Sequence, residues 1–218
     1  MSYTLRPGHS FCIIDGAALF LDLPGDRYFR LPANANAAFI ALVAGERPES
    51  DDLRKLDATG VIEASPDSVR LMPASCVAPA RRSEAIDSGD FRLADVARAL
   101  WMQRRAERRL AARPLHEVLG DCARLRRSSA SAEIGPDSPA GRVLRAFEFA
   151  RLLRSPANRC LPRSIAVALC LARKGIAVDV VLGVKLGPFA AHCWAQSGDV
   201  VLNDTVEEVA RFTPILVV

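Results

Sequence analysis

Hydrophobic and polar positions fall into short runs through the first third of the chain. They then spread into longer stretches with a period near 3.6 residues and return to short apolar runs after residue 178. SFCIID (10–15) and AALFLD (17–22) are β-prone runs separated by Gly16. LPGD (23–26) is a turn signal, and RYFRL (27–31) predicts a third strand. NANAAFIALVAG (34–45) places Phe39, Leu42 and Val43 at helical spacing, with Asn34 or Asn36 as the candidate cap and Gly45 as the stop. DDLRKLDATGVI (51–62) predicts a shorter helix closed by Gly60, and VRLM (69–72) a closing strand. These elements make a small domain over residues 1–75.

Residues 73–88 are rich in Pro, Ser and Ala, which predicts a linker over 76–90. A helical pattern follows from 91 to 112, with Leu93, Val96, Leu100 and Trp101 on one face. Pro114 opens a second helix, PLHEVLGDCARL, and SSASAEIGPDSP (128–139) reads as a loop. GRVLRAFEFARLL (141–153) carries Val143, Leu144, Phe147 and Phe149 near helical spacing, and SPANR (155–159) breaks it. Past NRCLPRSIAVALC (158–170), the period changes. VDVVLGVKL, FAAHCWAQ and VVLND are strand-like, the last two joined by a turn at Ser197, Gly198 and Asp199. Helices followed by an antiparallel sheet predict an α+β domain over residues 91–218.

Composition adds exclusions. Half of the 218 residues are hydrophobic, enough for a buried core, and 29 basic against 25 acidic residues leave a mild net charge of +4. The charge is uneven: residues 81–127 hold 12 basic and 7 acidic residues, and residues 1–80 hold 7 and 10. The basic middle reads first as a solvated helix face and second as a docking surface for an acidic partner, and its mixed sign argues against nucleic acid. None of the six cysteines forms a CxxC pair, so no zinc site and no cofactor is expected. The N-terminus has no apolar signal-peptide core, and the longest wholly apolar run, 165–172, is too short to span a bilayer. The expectation is a cytosolic protein with reduced thiols.

The candidate chemistry centres on Cys160. Pro162 suits the first turn of a helix, Ile165, Leu169 and Ala172 repeat at helical spacing, and Gly175 stops the run. Cys160 then stands at a helix N-terminus, where the dipole and free N–H groups favour a thiolate and hold a developing oxyanion. Cys170, ten residues on, reads as core. Of the three histidines, His9 falls in an N-terminal tail, His116 in the Arg-rich helical region and His192 in the same C-terminal block as Cys160. His192 is the candidate general base and acid. Its orienter depends on hairpin register: a three-residue loop places Asp204 opposite His192, and a two- or four-residue loop places Asn203 there. Asp204 is favoured. Taken singly, each of these residues has an ordinary structural explanation, and the combination carries the hypothesis.

At these residues a resemblance emerges. CLPRS (160–164), GVKLGPF (183–189), AHCW (191–194), LND (202–204) and FTPIL (212–216) resemble the leader peptidase of lasso peptide biosynthesis, the B protein, over roughly residues 91–218. That family belongs to the transglutaminase-like branch of the papain-like fold. Residues 18–45, with LRKLDATGVI (53–62), separately resemble the RiPP recognition element, a winged-helix-like domain related to the PqqD proteins. Only two helices fit between Asn34 and Ile62, where that domain usually has three.

The resemblance implies a division of labour: one domain holds the leader of a ribosomally made precursor, and the other cuts it with a Cys160–His192–Asp204 triad. A partner, an ATP-dependent asparagine-synthetase-like lasso cyclase, then closes the macrolactam. The family usually cuts one residue after a penultimate leader Thr, so a small pocket near Cys160 is expected. Leader capture is expected at the open edge of the third strand and the helix over 51–59, with Tyr28, Phe29, Arg30, Leu53 and Leu56 as contacts, although Leu53 and Leu56 also suit partial core. The alternatives are a catalytically idle precursor-binding scaffold and a transglutaminase-type acyl transferase. A winged-helix role on DNA conflicts with the acidic balance of residues 1–80.

Overall fold

The computed structural model describes residues 2–66, 70–74, 78–83, 92–130, 134–135, 138–153 and 159–218. After a short strand β1 (Ser2–Leu5), the chain reverses at Asp15 and Gly16, whose φ values are 49° and 74°. Two adjacent left-handed residues make the hairpin connection whose twist matches its strands, here β2 (His9–Ile14) and β3 (Ala17–Asp22). The Asp22 carboxylate then accepts the Gly25 N–H at 2.9 Å and Arg27 Nε at 3.0 Å, closing the LPGD turn into β4 (Arg27–Arg30).

The helix α1 (Ala33–Ala44) starts behind Pro32 with no side-chain cap, so neither Asn34 nor Asn36 caps it. Asn36 instead reaches the hairpin: its Oδ1 accepts the Ala18 N–H at 2.8 Å and its Nδ2 donates to the Gly16 carbonyl at 3.2 Å. Gly45, at φ 84°, ends α1 as expected. A second helix, α2 (Ser50–Asp57), leads to β5 (Ile62–Ser65), which pairs antiparallel with β1. The closing strand therefore lies at Ile62–Ser65. Residues 70–72 are irregular, and Val69 lies outside the described residues. Nor is His9 in a tail, because it opens β2. The core of this part is aromatic, with Phe11, Phe20 and Phe39 fully buried and Phe39 edge-on to the other two at 4.9 and 4.8 Å.

Chain contacts divide the molecule into two units, Met1–Ser75 with Thr213–Leu216, and Cys76–Phe212 with Val217–Val218. The second unit begins inside the expected linker. There β6 (Arg82–Ser83) is a strand, and the Ala78 carbonyl accepts a 2.8 Å bond from Gln196 Nε2. The helix α3 (Leu93–Ala112) buries Val96, Ala99, Met102 and Ala106, whereas Leu93 and Trp101, expected on its core face, are 78% and 53% exposed. The helix α4 (Leu115–Arg127) follows Pro114. Next comes α5 (Pro139–Leu152), capped by Ser138 Oγ accepting the Gly141 N–H at 2.9 Å. The helix α6 (Cys160–Ala172) runs through the middle, with Ile165, Ala166, Val167 and Leu171 fully buried among α3, α4, α5 and the sheet.

The sheet is built from β7 (Asp179–Lys185), β8 (Ala190–Ser197) and β9 (Val200–Val201), with β6 parallel to β9 at one edge. A short helix α7 (Val206–Val209) and β10 (Thr213–Val217) finish the chain, and Val218 exchanges backbone hydrogen bonds with Val180. Ser197 pairs with Val200, so the β8–β9 loop has two residues, Gly198 and Asp199, where three were expected. Both units mix helix and strand, giving a mixed α+β chain with no described helix long and apolar enough to cross a membrane.

Gly183 on β7 pairs with His192 on β8, and the ring of Trp194 fills the space a side chain would take. A Cβ there would meet Trp194 Cζ3 at 2.6 Å and Phe212 Cβ at 3.0 Å. Gly183→Ala is expected to destabilise the protein by about 1–3 kcal/mol, measured as a lower melting temperature; an unchanged melting temperature would contradict this packing.

Candidate active site

Cys160 is the first residue of α6, and Arg159 ahead of it provides no side-chain cap. The first-turn N–H groups of a helix have no intrahelical acceptor, so they are available to a ligand at this end. Pro162 sits within that turn, where its missing N–H costs nothing. One turn along, the fully buried Ser164 sits between α6 and β8. Its Oγ lies 2.8 Å from the Cys160 carbonyl and 3.0 Å from the Cys193 carbonyl, and it accepts from Asn203 Nδ2 at 2.9 Å. Asn203 Oδ1 in turn accepts the Ala195 N–H at 2.8 Å. A hydroxyl carries one proton, so Ser164 donates to one carbonyl at a time while its lone pairs take the amide. This chain of bonds ties the cysteine's turn to the strand that carries the histidine.

His192 lies on β8 with Nε2 2.6 Å from Asp204 Oδ2, the two side chains 18% and 23% exposed. The Cys160 thiol is its other partner, and the two groups shift each other's titration. With Nε2 committed to the carboxylate, Nδ1 is the nitrogen left for sulfur. The ring rests near Phe212, at 5.0 Å between centroids, and Trp194, at 6.2 Å.

Asp204 meets His192 by a route other than the expected register. Extended in register from Gln196↔Val201, the observed loop of Gly198 and Asp199 would set Thr205 opposite the histidine, which is neither Asp204 nor the Asn203 expected for a two-residue loop. The last paired residues are Gln196↔Val201, however; one further bond runs from the Leu202 N–H to the Ala195 carbonyl at 2.9 Å, and the chain bends through residues 202–204. Asn203 turns inward to Ser164 and Ala195, while Asp204 swings to the imidazole and accepts the Thr205 N–H at 2.8 Å through its other oxygen.

The electrostatics favour a charged pair. Burial is the largest effect on Cys160 and raises its pKa. The hydrogen bond and charge of His192, with hydrogen bonds from the backbone of Cys193 and Leu161, overcome it and hold the thiol below its ordinary value. For His192 burial acts downward, but Asp204 and the thiolate outweigh it and raise the imidazole to about 9. Burial also works against the Asp204 carboxylate, yet His192, the Thr205 N–H and the Arg163 charge keep its pKa below the usual range. Arg163 is held in place by Glu148. Cys193, next to the histidine, is pushed far up by burial and is silent as a thiolate at neutral pH. Cys170 departs from its expected core position: it is half-buried and lines a cavity at the other end of α6, with its thiol raised by burial.

The other predicted contacts lie in the first unit. Sheet order β2-β3-β4 leaves β4 paired to β3 alone, so one edge of it is open among the described residues. Phe29 stacks on Phe20 at 5.3 Å, Tyr28 is half-buried and Arg30 is exposed. Leu53 packs partly into the core, and Leu56 is fully buried, which removes it as a surface contact. A cavity of about 430 Å³ borders β4, lined by Arg27, Phe29 and Arg30 together with Arg6, His9 and Thr59. The last three were not legible as neighbours of β4, because they come from separate segments and no periodicity links them. The bond between Ser164 and Asn203 was not legible for the same reason, since the two stand 39 residues apart.

A family model described as the transglutaminase-like superfamily matches residues 92–217. No curated protein and no solved structure matches the chain.

Because the Cys160 thiol is lowered and the His192 imidazole raised to about 9, iodoacetamide should modify Cys160 well below the pH an ordinary thiol requires and leave Cys170 largely untouched. Asp204→Asn removes the charge that holds the proton on His192, so the Cys160 alkylation profile should move to higher pH; an unmoved profile would separate Asp204 from the pair. Ser164→Ala deletes the buried tie and should slow Cys160 alkylation at neutral pH by about tenfold, the equivalent of one lost hydrogen bond of about 1–1.5 kcal/mol.

Proposed function

Because the chain belongs to the transglutaminase-like superfamily, which includes cysteine peptidases and acyltransferases, we propose that it is a cysteine peptidase that removes the leader from a lasso peptide precursor. The observation that carries this reading is the joining of Cys160, His192 and Asp204 at the head of one buried helix. In the first step the Cys160 thiolate attacks the scissile carbonyl, a C–S bond forms, and the carbonyl electron pair moves onto oxygen. The uncapped N–H groups of α6 are suited to that oxyanion. Collapse breaks the C–N bond as the His192 imidazolium passes its proton to the leaving amine. His192 then deprotonates a water that attacks the thioester, and the thiolate departs with the leader acid released. Asp204 stabilises the imidazolium throughout without itself taking the proton.

The first unit is proposed as the winged-helix-like RiPP recognition element. An extended leader adds to the open edge of β4, its main chain bonding to the strand and its side chains entering the cavity beside Phe29 and Arg30. Tyr28 and Leu53 flank that path, and Leu56 supports it from within the core. The freed core peptide then passes to an ATP-dependent asparagine-synthetase-like cyclase, the proposed partner, in the cytoplasm.

Incubation of the protein with a precursor encoded beside its gene, followed by mass spectrometry, tests the reading. The expected outcome is two fragments whose masses together equal the precursor plus one water. Cys160→Ala should abolish cleavage, a loss of about a thousandfold or more, and should still bind the precursor. Cleavage that survives Cys160→Ala would overturn the proposal, and ammonia loss in place of a removed leader would assign the site to acyl transfer.

A further inference from the structure

Among the described residues, the solvent side of α3 carries more positive charge than its neighbours neutralise. A cavity of about 380 Å³ lies where the first half of α3 meets α5 and the far end of α6. Its floor is apolar, formed by Ala99, Ala146 and Phe147, and its rim holds Arg92, Arg98, Arg142, Arg173 and Lys174 against a single carboxylate, Asp95. Among the described residues none of these five cations is held in an ion pair. Two acidic groups of the described residues on α3 and α4 are engaged elsewhere: Glu107 pairs with Arg159, and Asp121 with Arg109, Arg113 and Arg124. The negative end of the α6 dipole, about half an elementary charge, offsets only a fraction of the excess.

The charge continues along the helix. Arg98, Trp101, Arg105 and Arg108 follow at spacings of three and four residues and so share one face. Trp101 is 53% exposed, and the Arg105 guanidinium lies 5.5 Å from its ring centre. Exposed Trp among arginines is the composition of protein-interface anchors. An apolar floor offers nothing to a phosphate, and a whole-chain charge of +4 is small for a nucleic-acid surface.

We propose that this cavity and the adjoining face of α3 dock an acidic segment of another polypeptide, with its carboxylates on the arginine rim and an apolar side chain in the cavity. The site is separate from Cys160: Cys170, which lines it, stands about 15 Å further along α6. The proposal does not depend on the peptidase reading, because its test reads binding and no cleavage.

The test titrates full-length protein with a short synthetic peptide of alternating Glu-Asp pairs and leucines, followed by tryptophan emission and calorimetry. Trp194 is 2% exposed, so a change in emission reports Trp101. Binding should weaken as salt rises. Arg98→Glu and Arg173→Glu should each weaken it about tenfold or more, with melting temperatures near wild type, and Arg47→Glu, an exposed arginine of the first unit, should bind as wild type. The proposal is overturned if the peptide does not bind, if both reversal variants bind it like wild type, if an oligothymidylate of equal charge binds more tightly, or if inorganic pyrophosphate at equal concentration displaces the peptide.

Discussion

The second unit depends on one buried hydroxyl. Ser164 Oγ sits where the first turn of α6, the strand β8 and the bend after β9 converge, accepting from Asn203 and donating to the Cys160 or the Cys193 carbonyl. Each of those pieces carries one member of the candidate site: Cys160 on the helix, His192 on the strand and Asp204 on the bend. A buried polar network of this kind has a sharp requirement. Satisfied, it allows one arrangement of its partners; with a member missing, the remaining donors and acceptors are stranded away from water. The cost of leaving them unpaired holds the three candidate groups in register.

The charge state of the site follows from that geometry. Burial alone would keep the thiol protonated and the imidazole neutral, since a low-dielectric setting disfavours both charges. Their contact reverses the balance. The imidazole is raised to about 9 because Asp204 and the thiolate lie on either side of it, and the thiol is lowered because the imidazolium and backbone donors face it. Cys193, one residue from His192 but turned into the core without a charged neighbour to offset burial, shows the opposite outcome. The two thiols differ in surroundings and not in kind.

Local signals were legible wherever the chemistry is local. Gly45 ends α1, Pro114 precedes α4, and the Asp15-Gly16 pair turns the first hairpin. Failures came where a distant partner decides. β1 and β5 have modest strand character and form because they pair with each other. β6 hides in a stretch of linker composition and is held by β9. Of the α3 residues expected on the buried face, Val96 packs inward but Leu93 and Trp101 stay exposed, because the packed face turns through Ala99, Met102 and Ala106 toward α5 and α6.

For the candidate site, the line of residues specified that Cys160 heads a helix, since Pro162 and the apolar repeat behind it depend on backbone sterics and helix periodicity alone. It also supplied a histidine and an acidic residue in the strand region that follows. Which acid meets the histidine was a matter for the tertiary structure. The observed loop carries the ladder register to Thr205 opposite His192, but strand pairing ends at Val201, and beyond it side chains answer to the groups that surround them. Asn203, able to donate and accept, satisfies the buried Ser164 hydroxyl and the Ala195 N–H. Asp204, charged and partly open to water, goes to the imidazole. That sorting depends on burial and on neighbours brought from 39 residues away, which no pattern along the chain encodes.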